Sequence, residues 1–178
     1  MKRTLLLAAA AVLACGGGGG GGGGGGPTAP QPGITFTGAQ VQPPAVRLEE
    51  DPASGGTVLE LVVRADALSD VYGAAFDLTY PSDVLRFEAS AEGDFLSGGG
   101  AQTTLQVVEN PQGRLIVGYS RLGATGGADG SGELLILRFV ATASGSGNFA
   151  FSRNQLVDPD GAPIPGISWG AGSVRAEL

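Results

Sequence analysis

The chain has 178 residues, with 33 glycines, 11 prolines, one cysteine and no histidine, and a formal net charge of −7. Without histidine there is no Ser-His or Cys-His nucleophile pair and no His-containing zinc site. The acidic balance repels phosphate backbones and disfavours nucleic acid as a partner. Lys2 is the only lysine, so no Gly-x-x-x-x-Gly-Lys phosphate loop exists.

Residues 1–14 have a basic start, an apolar run from Leu5 to Leu13 and a small residue, Ala14, at the end. A bilayer-spanning helix needs roughly 20 apolar residues, so this run is too short to be one. It reads as a signal peptide. The ending Val12-Leu13-Ala14-Cys15 resembles the lipobox of bacterial lipoproteins. That resemblance implies cleavage before Cys15, acylation of its sulfur, and a membrane contact made through the lipid alone. Gly16 rather than Asp follows the cysteine, which in that family points to the outer membrane or cell surface, with the folded part extracytoplasmic. Cleavage would leave eight of the ten basic residues against 17 acidic ones, a net charge of −9.

Residues 15–45 read as a tether. Gly16 to Gly26 is an unbroken glycine run, and prolines follow at 27, 30, 32, 43 and 44. Polyglycine buries no apolar area to offset its conformational entropy, so disorder is expected. Eleven such residues reach about 18 Å on average.

From Val46 to Leu178 the pattern is alternation with period two. Leu59, Leu61 and Val63 alternate with Glu60 and Arg64; Tyr72, Phe76, Leu78 and Tyr80 share the next face. Leu85 and Phe87 follow, then Leu105 and Val107, then Leu115, Val117 and Tyr119. The series continues with Leu135, Leu137, Phe139 and Ala141, then Phe149 and Phe151, then Ile167 and Trp169. Such alternation marks half-buried strands. Turn signals separate the runs: Asp51-Pro52, Pro81-Ser82-Asp83, Asn110-Pro111-Gln112-Gly113, Ser144-Gly145-Ser146-Gly147 and Asp158-Pro159-Asp160-Gly161. Glycine-rich stretches at 97–101 and 123–132 read as flexible loops at one edge or end. The expected fold is all-β: a sandwich of roughly nine antiparallel strands with jelly-roll topology.

Taken in order, several pieces resemble a cohesin domain, the dockerin-binding module of cellulosome scaffoldins. They include Tyr72-Gly73-Ala74-Ala75-Phe76-Asp77-Leu78-Thr79-Tyr80-Pro81, Val84-Leu85-Arg86-Phe87 and Glu92-Gly93-Asp94-Phe95-Leu96. Gly113 to Ser120, Gly130 to Phe139 and Leu156 to Gly161 continue the set. The resemblance spans nearly all of residues 46–175. It implies a non-catalytic module, monomeric and without a cofactor, that docks a protein partner in an extracellular polysaccharide-related assembly. It places the partner on the strands at 72–80, 103–109 and 113–121. The outward candidates are then Gly73, Ala75, Asp77 and Thr79; Thr104, Gln106 and Val108; and Arg114, Ile116, Gly118 and Ser120. Cohesins that bind well-known dockerins tend to have Asn or Asp just before the residue matching Phe76, where this chain has Ala75. The face is small and sparsely charged, which suits an interface core.

Other chemistries have weaker support. Asp158-Pro159-Asp160-Gly161 opens like a calcium loop, but a full loop would need an oxygen ligand at Ala162 and a bidentate Glu at Trp169. It reads as a tight turn. A glycosidase needs a carboxylate pair at defined separation, and no acidic cluster stands out. The alternative binding reading is a carbohydrate-binding module for extracellular or cell-wall polysaccharide. Such modules usually display coplanar aromatics, whereas nearly all the aromatics here fall on the inward pattern.

Overall fold

The computed structural model describes residues 32–178. The expected signal peptide, Cys15 and the glycine run lie outside that range. Eleven strands form two stacked sheets, so the sandwich read from the alternation is the architecture. One sheet has six strands: β1 (Gly33–Gly38), β11 (Gly172–Glu177), β9 (Gly145–Val157), β4 (Gly73–Thr79), β7 (Arg114–Arg121) and β6 (Thr103–Glu109), in that spatial order. The other has five: β10 (Ser168–Gly170), β2 (Ala45–Glu50), β3 (Val58–Val71), β8 (Ala128–Ala141) and β5 (Leu85–Glu92).

The inward positions of the two sheets make the core. Leu59, Leu61 and Val63 of β3 and Leu135, Leu137 and Phe139 of β8 are fully buried. They face Phe76 and Leu78 of β4 and Leu115, Val117 and Tyr119 of β7. Phe139 sits at the centre, with ring centroids 5.1 Å from Tyr80, 5.7 Å from Phe87 and 5.4 Å from Phe149. At the other end Trp169 packs on Phe76 and Phe151 at 5.6 and 5.1 Å. These are tilted and edge-on aromatic contacts of the kind that add to area burial.

Three expectations are corrected. The tether does not run to residue 45: β1 and the first residue of β2 belong to the sandwich. Ile34 is buried, and Phe36 lies edge-on to Phe149 at 5.8 Å. This Thr-flanked alternation lies in Pro/Gly-rich surroundings and becomes a strand because β11 pairs with it along its whole length. The sheets are also not wholly antiparallel, since β10 runs parallel to β2. Lastly, the loop placed at 123–132 is shorter, because β8 begins at Ala128.

The position of β4 follows from the end of β3. The β3–β8 register shifts between Ala65 and Leu68 and again between Leu68 and Val71, with Ala67 at φ 49° and Asp70 at φ 55°. Side chains hold this irregular stretch: the backbone N–H of Ala67 donates to Ser131 Oγ and that of Asp70 to Asp129 Oδ1, both at 2.9 Å. Bulges bend and twist a strand. The bend carries the chain across Tyr72 into the opposite sheet, where β4 becomes a central strand between β9 and β7.

Candidate functional site

The register across β6, β7, β4 and β9 orders the outward side chains into rows. Thr104, Ser120, Gly73 and Val157 form the first, and Gln106, Gly118, Ala75 and Gln155 the second. Val108, Ile116, Asp77 and Ser152 form the third; Arg114, Thr79 and Ala150 form the fourth. All the candidate positions on β4, β6 and β7 therefore share one face. The sequence pattern did not supply β9 as a fourth strand of that face.

The first two rows form a shallow groove of about 450 Å³. Its floor is low because Gly73, Ala75 and Gly118 carry little or no side chain, and a Cβ on Gly118 would meet no atom within 4 Å. Gln106 and Gln155 stand on opposite sides and place an amide at each rim. In the third row Val108 and Ile116 are direct cross-strand neighbours, 54 % and 36 % exposed. Leu122, 44 % exposed, follows β7 beyond Ser120. Three of the four large apolar side chains exposed among the described residues thus lie on or beside this face.

Asp77 departs from its expected role. It points to the outer face but is buried, with 8 % of its side chain exposed. Two arginines cover it. Arg114 Nε and Arg153 Nε approach the same oxygen, Asp77 Oδ2, at 3.6 and 3.7 Å. Arg114 comes from β7, next to β4. Arg153 arrives through a bulge: Ala75 pairs with Gln155 but Asp77 pairs with Ser152, which leaves one extra residue on β9. Arg153 takes φ 51°, in the left-handed region. Bulges re-aim side chains in this way and are common beside functional sites.

The outer face of the five-stranded sheet is different in kind. Arg47 pairs with Glu49 and Asp66; Arg64 lies near Glu49, Asp66 and Glu133. Arg138 donates to Glu60 and to Glu88, the latter at 2.9 Å, and Arg86 reaches Glu88 at 3.5 Å. The hydrogen bond from Arg138 holds the Glu88 carboxyl below its ordinary range. This is a solvated face whose charges already have partners.

One end of the groove face rests on a residue that the alternation did not mark. Arg121 closes β7 pointing inward and is only 8 % exposed, with no carboxylate partner among the described residues. Its guanidinium donates instead to the backbone carbonyls of Leu96 (2.7 Å), Gly98 (2.8 Å) and Gly126 (2.5 Å). It ties together the two glycine-rich loops.

The turn at Asp158 spends that carboxylate on the backbone. Its Oδ1 accepts from the N–H of Asp160 and of Ala162, at 3.0 and 2.8 Å, and Gly161 sits at φ 80°. Among the described residues no group of three acidic, His or Cys side chains converges on a metal position. Among the described residues the aromatic side chains pack into or against the core except Tyr72, which is half-exposed at the crossing into β4 and donates its hydroxyl to the Gly123 carbonyl at 2.7 Å; the four outer rows carry no aromatic.

No family model matches the chain, and no curated protein does. Solved structures do. A non-cellulosomal cohesin from the archaeon Archaeoglobus fulgidus is 22 % identical, with a TM-score of 0.51 over 64 % of this chain and 77 % of that one. The second type II cohesin module of the adaptor ScaA scaffoldin of Acetivibrio cellulolyticus is 15 % identical, with a TM-score of 0.63 over 75 % and 91 %. An interface mutant of a type II cohesin–X-dockerin complex from the same organism gives 0.60 at 15 % identity, over 70 % and 93 %. At these identities the likeness is one of fold, and the sandwich is cohesin-like.

Proposed function

We propose that the β6-β7-β4-β9 face is a docking surface for a protein partner, and that residues 1–31 anchor the module to the cell envelope through a lipid on Cys15. The observation that carries the docking reading is the contrast between the two outer faces. Removing water from paired charges is costly. The five-stranded face would have to give up water around nine charged side chains to bind anything. The six-stranded face offers Ala, Gly, Thr, Gln, Val and Ile around a shallow groove, sparse in charge as the core of an interface is. A cohesin of similar fold is in complex with an X-dockerin, so a dockerin-bearing protein heads the range of partners. Polysaccharide has no comparable support, because the outer rows lack an aromatic platform.

The test is recovery of a partner from the secretome of the source organism, with the folded module as bait. A specific partner should bind the wild type and be lost with Ile116→Asp. Recovery that is indifferent to Ile116→Asp, or no recovery above background, would overturn the docking reading. The anchor has its own test: radioactive palmitate should label the wild type and not Cys15→Ala. Labelling of the variant would refute it.

A further inference from the structure

We propose that the docking surface contains a carboxylate-recognition point, in which Arg114 and Arg153 together receive an acidic side chain of the protein partner while an adjoining apolar side chain packs on Val108 and Ile116. The proposal rests on the docking reading and names the partner's chemistry.

The argument is a count of charges. Each exposed arginine elsewhere has a carboxylate within reach that is not outnumbered by guanidiniums: Arg47 and Arg64 share Glu49, Asp66 and Glu133; Arg86 and Arg138 share Glu60 and Glu88; Arg175 has Glu177 at 2.9 Å. Arg121 is spent on carbonyls. Among the described residues, only around Asp77 do guanidiniums outnumber the carboxylates within reach, and both crowd the same oxygen at 3.6 and 3.7 Å. Neither contact is within hydrogen-bond distance, and Arg114 Nε is buried without a hydrogen-bond partner. The spot therefore keeps one unit of excess positive charge on a chain whose net charge is −7.

Its placement favours an approaching anion. Asp77 sits beneath and cannot leave, while Arg153 stands 74 % exposed above it. A left-handed backbone at a non-glycine residue is a strained conformation that persists where the surroundings enforce it, often at ligand clamps. Here it directs the guanidinium over the groove face rather than away from it. A second carboxylate would bring the ratio to two against two, and a guanidinium presents paired donors that match carboxylate geometry. The partner is thereby defined as acidic next to apolar, since Asp77 and Ile116 are cross-strand neighbours and Val108 flanks Ile116.

The test uses the full chain, immobilised, and a displayed library of small three-helix domains randomised over one face. Baits are the wild type, the Arg114→Glu/Arg153→Glu pair, the Arg153→Lys variant and Gly118→Trp, a position with open space above it. Binders of the wild type should be enriched in Asp or Glu beside Leu, Ile or Val and should weaken as salt rises. They should lose at least about tenfold in affinity on the Glu pair, which should instead select Lys and Arg. Arg153→Lys should keep the preference for acid. Equal urea midpoints for the baits exclude loss of fold. Binders without acidic enrichment, or binders indifferent to the Glu pair yet lost with Gly118→Trp, overturn this inference and leave docking intact. Binders indifferent to Gly118→Trp as well, or none at all, overturn the docking reading itself. Tight binding of soluble polygalacturonate, lost on the Glu pair, would reassign the point to an acidic glycan.

Discussion

Replacing Gly118 by Val separates the fold from the docking face. Gly118 lies mid-strand in β7, between Gln106 and Ala75, and a Cβ there meets no atom within 4 Å. Its φ is not in the left-handed region, so a branched side chain fits without strain. Glycine inside a strand costs about 0.5–1 kcal/mol relative to alanine, and valine is a strong strand former on a scale spanning about 1 kcal/mol. The variant should therefore be more stable by about 1 kcal/mol, which raises the melting temperature by about 2–4 °C in a domain of this size. The same three carbons stand in the floor of the groove. An interface packed at interior density gives up about 1–3 kcal/mol to extra atoms of this kind, or about 5- to 150-fold in affinity. Thermal melts and partner titration read both effects. A melt lowered by several degrees would mean that Gly118 does not face open solvent, and the register would be wrong. A raised melt with unchanged affinity would mean that the partner sits elsewhere.

Arg121→Met removes three carbonyl hydrogen bonds from a buried guanidinium; urea unfolding should show a loss of about 2–4 kcal/mol. Hydrogen exchange should show faster amides at 97–101 and 123–127 first, and unchanged exchange there would refute the clip. Gly93→Ala places a Cβ 2.1 Å from the Glu133 carbonyl oxygen, a backbone clash; a loss above about 3 kcal/mol or failure to fold is expected, and a near-wild-type urea midpoint would contradict that packing. Arg138→Ala breaks exposed pairs with Glu60 and Glu88, so its urea midpoint should stay close to that of the wild type and its partner affinity should not change. Burial raises the Tyr80 and Tyr119 phenols above their ordinary 10.0, and a hydrogen bond to Glu109 adds to the effect at Tyr80. The folded state then holds protons that the unfolded chain has lost, so their stabilisation is complete below pH 10 and falls as pH rises through the folded values. Denaturation midpoints and tyrosinate absorbance measured together above pH 10 check this; full phenol titration without loss of stability would refute it.

The alternation was legible because period two survives in long central strands. Leu59, Leu61 and Val63, or Leu115, Val117 and Tyr119, are buried as their spacing implies. β1 was lost because its two inward residues, Ile34 and Phe36, lie between prolines and glycines, and only pairing with a distant β11 makes them a strand. Most of the candidate face could also be read, since Ala75, Thr104, Gln106 and Ile116 fall on the solvent phase of their strands. Arg153 could not be. A bulge adds one residue and changes which face the following side chains reach, and nothing in Phe151-Ser152-Arg153-Asn154-Gln155 announces it. The alternation puts Asp77 on the outer face, but its cover comes from two strands whose register the sequence does not specify. Arg121 continues the inward phase of Leu115, Val117 and Tyr119, a place where a charge is tolerable only because two loops bring carbonyls to it.

The two outer faces bear on why a chain with so few arginines deploys them as it does. Four of the eight arginines among the described residues lie on the five-stranded sheet, each beside carboxylates. Exposed pairs of this type contribute little to stability, so their consequence lies elsewhere: any surface that approaches must displace water from charges that are already satisfied, with no new bond in return. That face repels association. The six-stranded face carries no such ladder across β6, β7, β4 and β9: its Arg175–Glu177 pair lies apart on β11, and the guanidinium pair over Asp77 is the concentration of charge beside the groove. On the docking reading, a partner would meet satisfied charge on one side and a single unsatisfied guanidinium on the other. In a molecule otherwise acidic, the proposed recognition point would then set both the side and the register of approach.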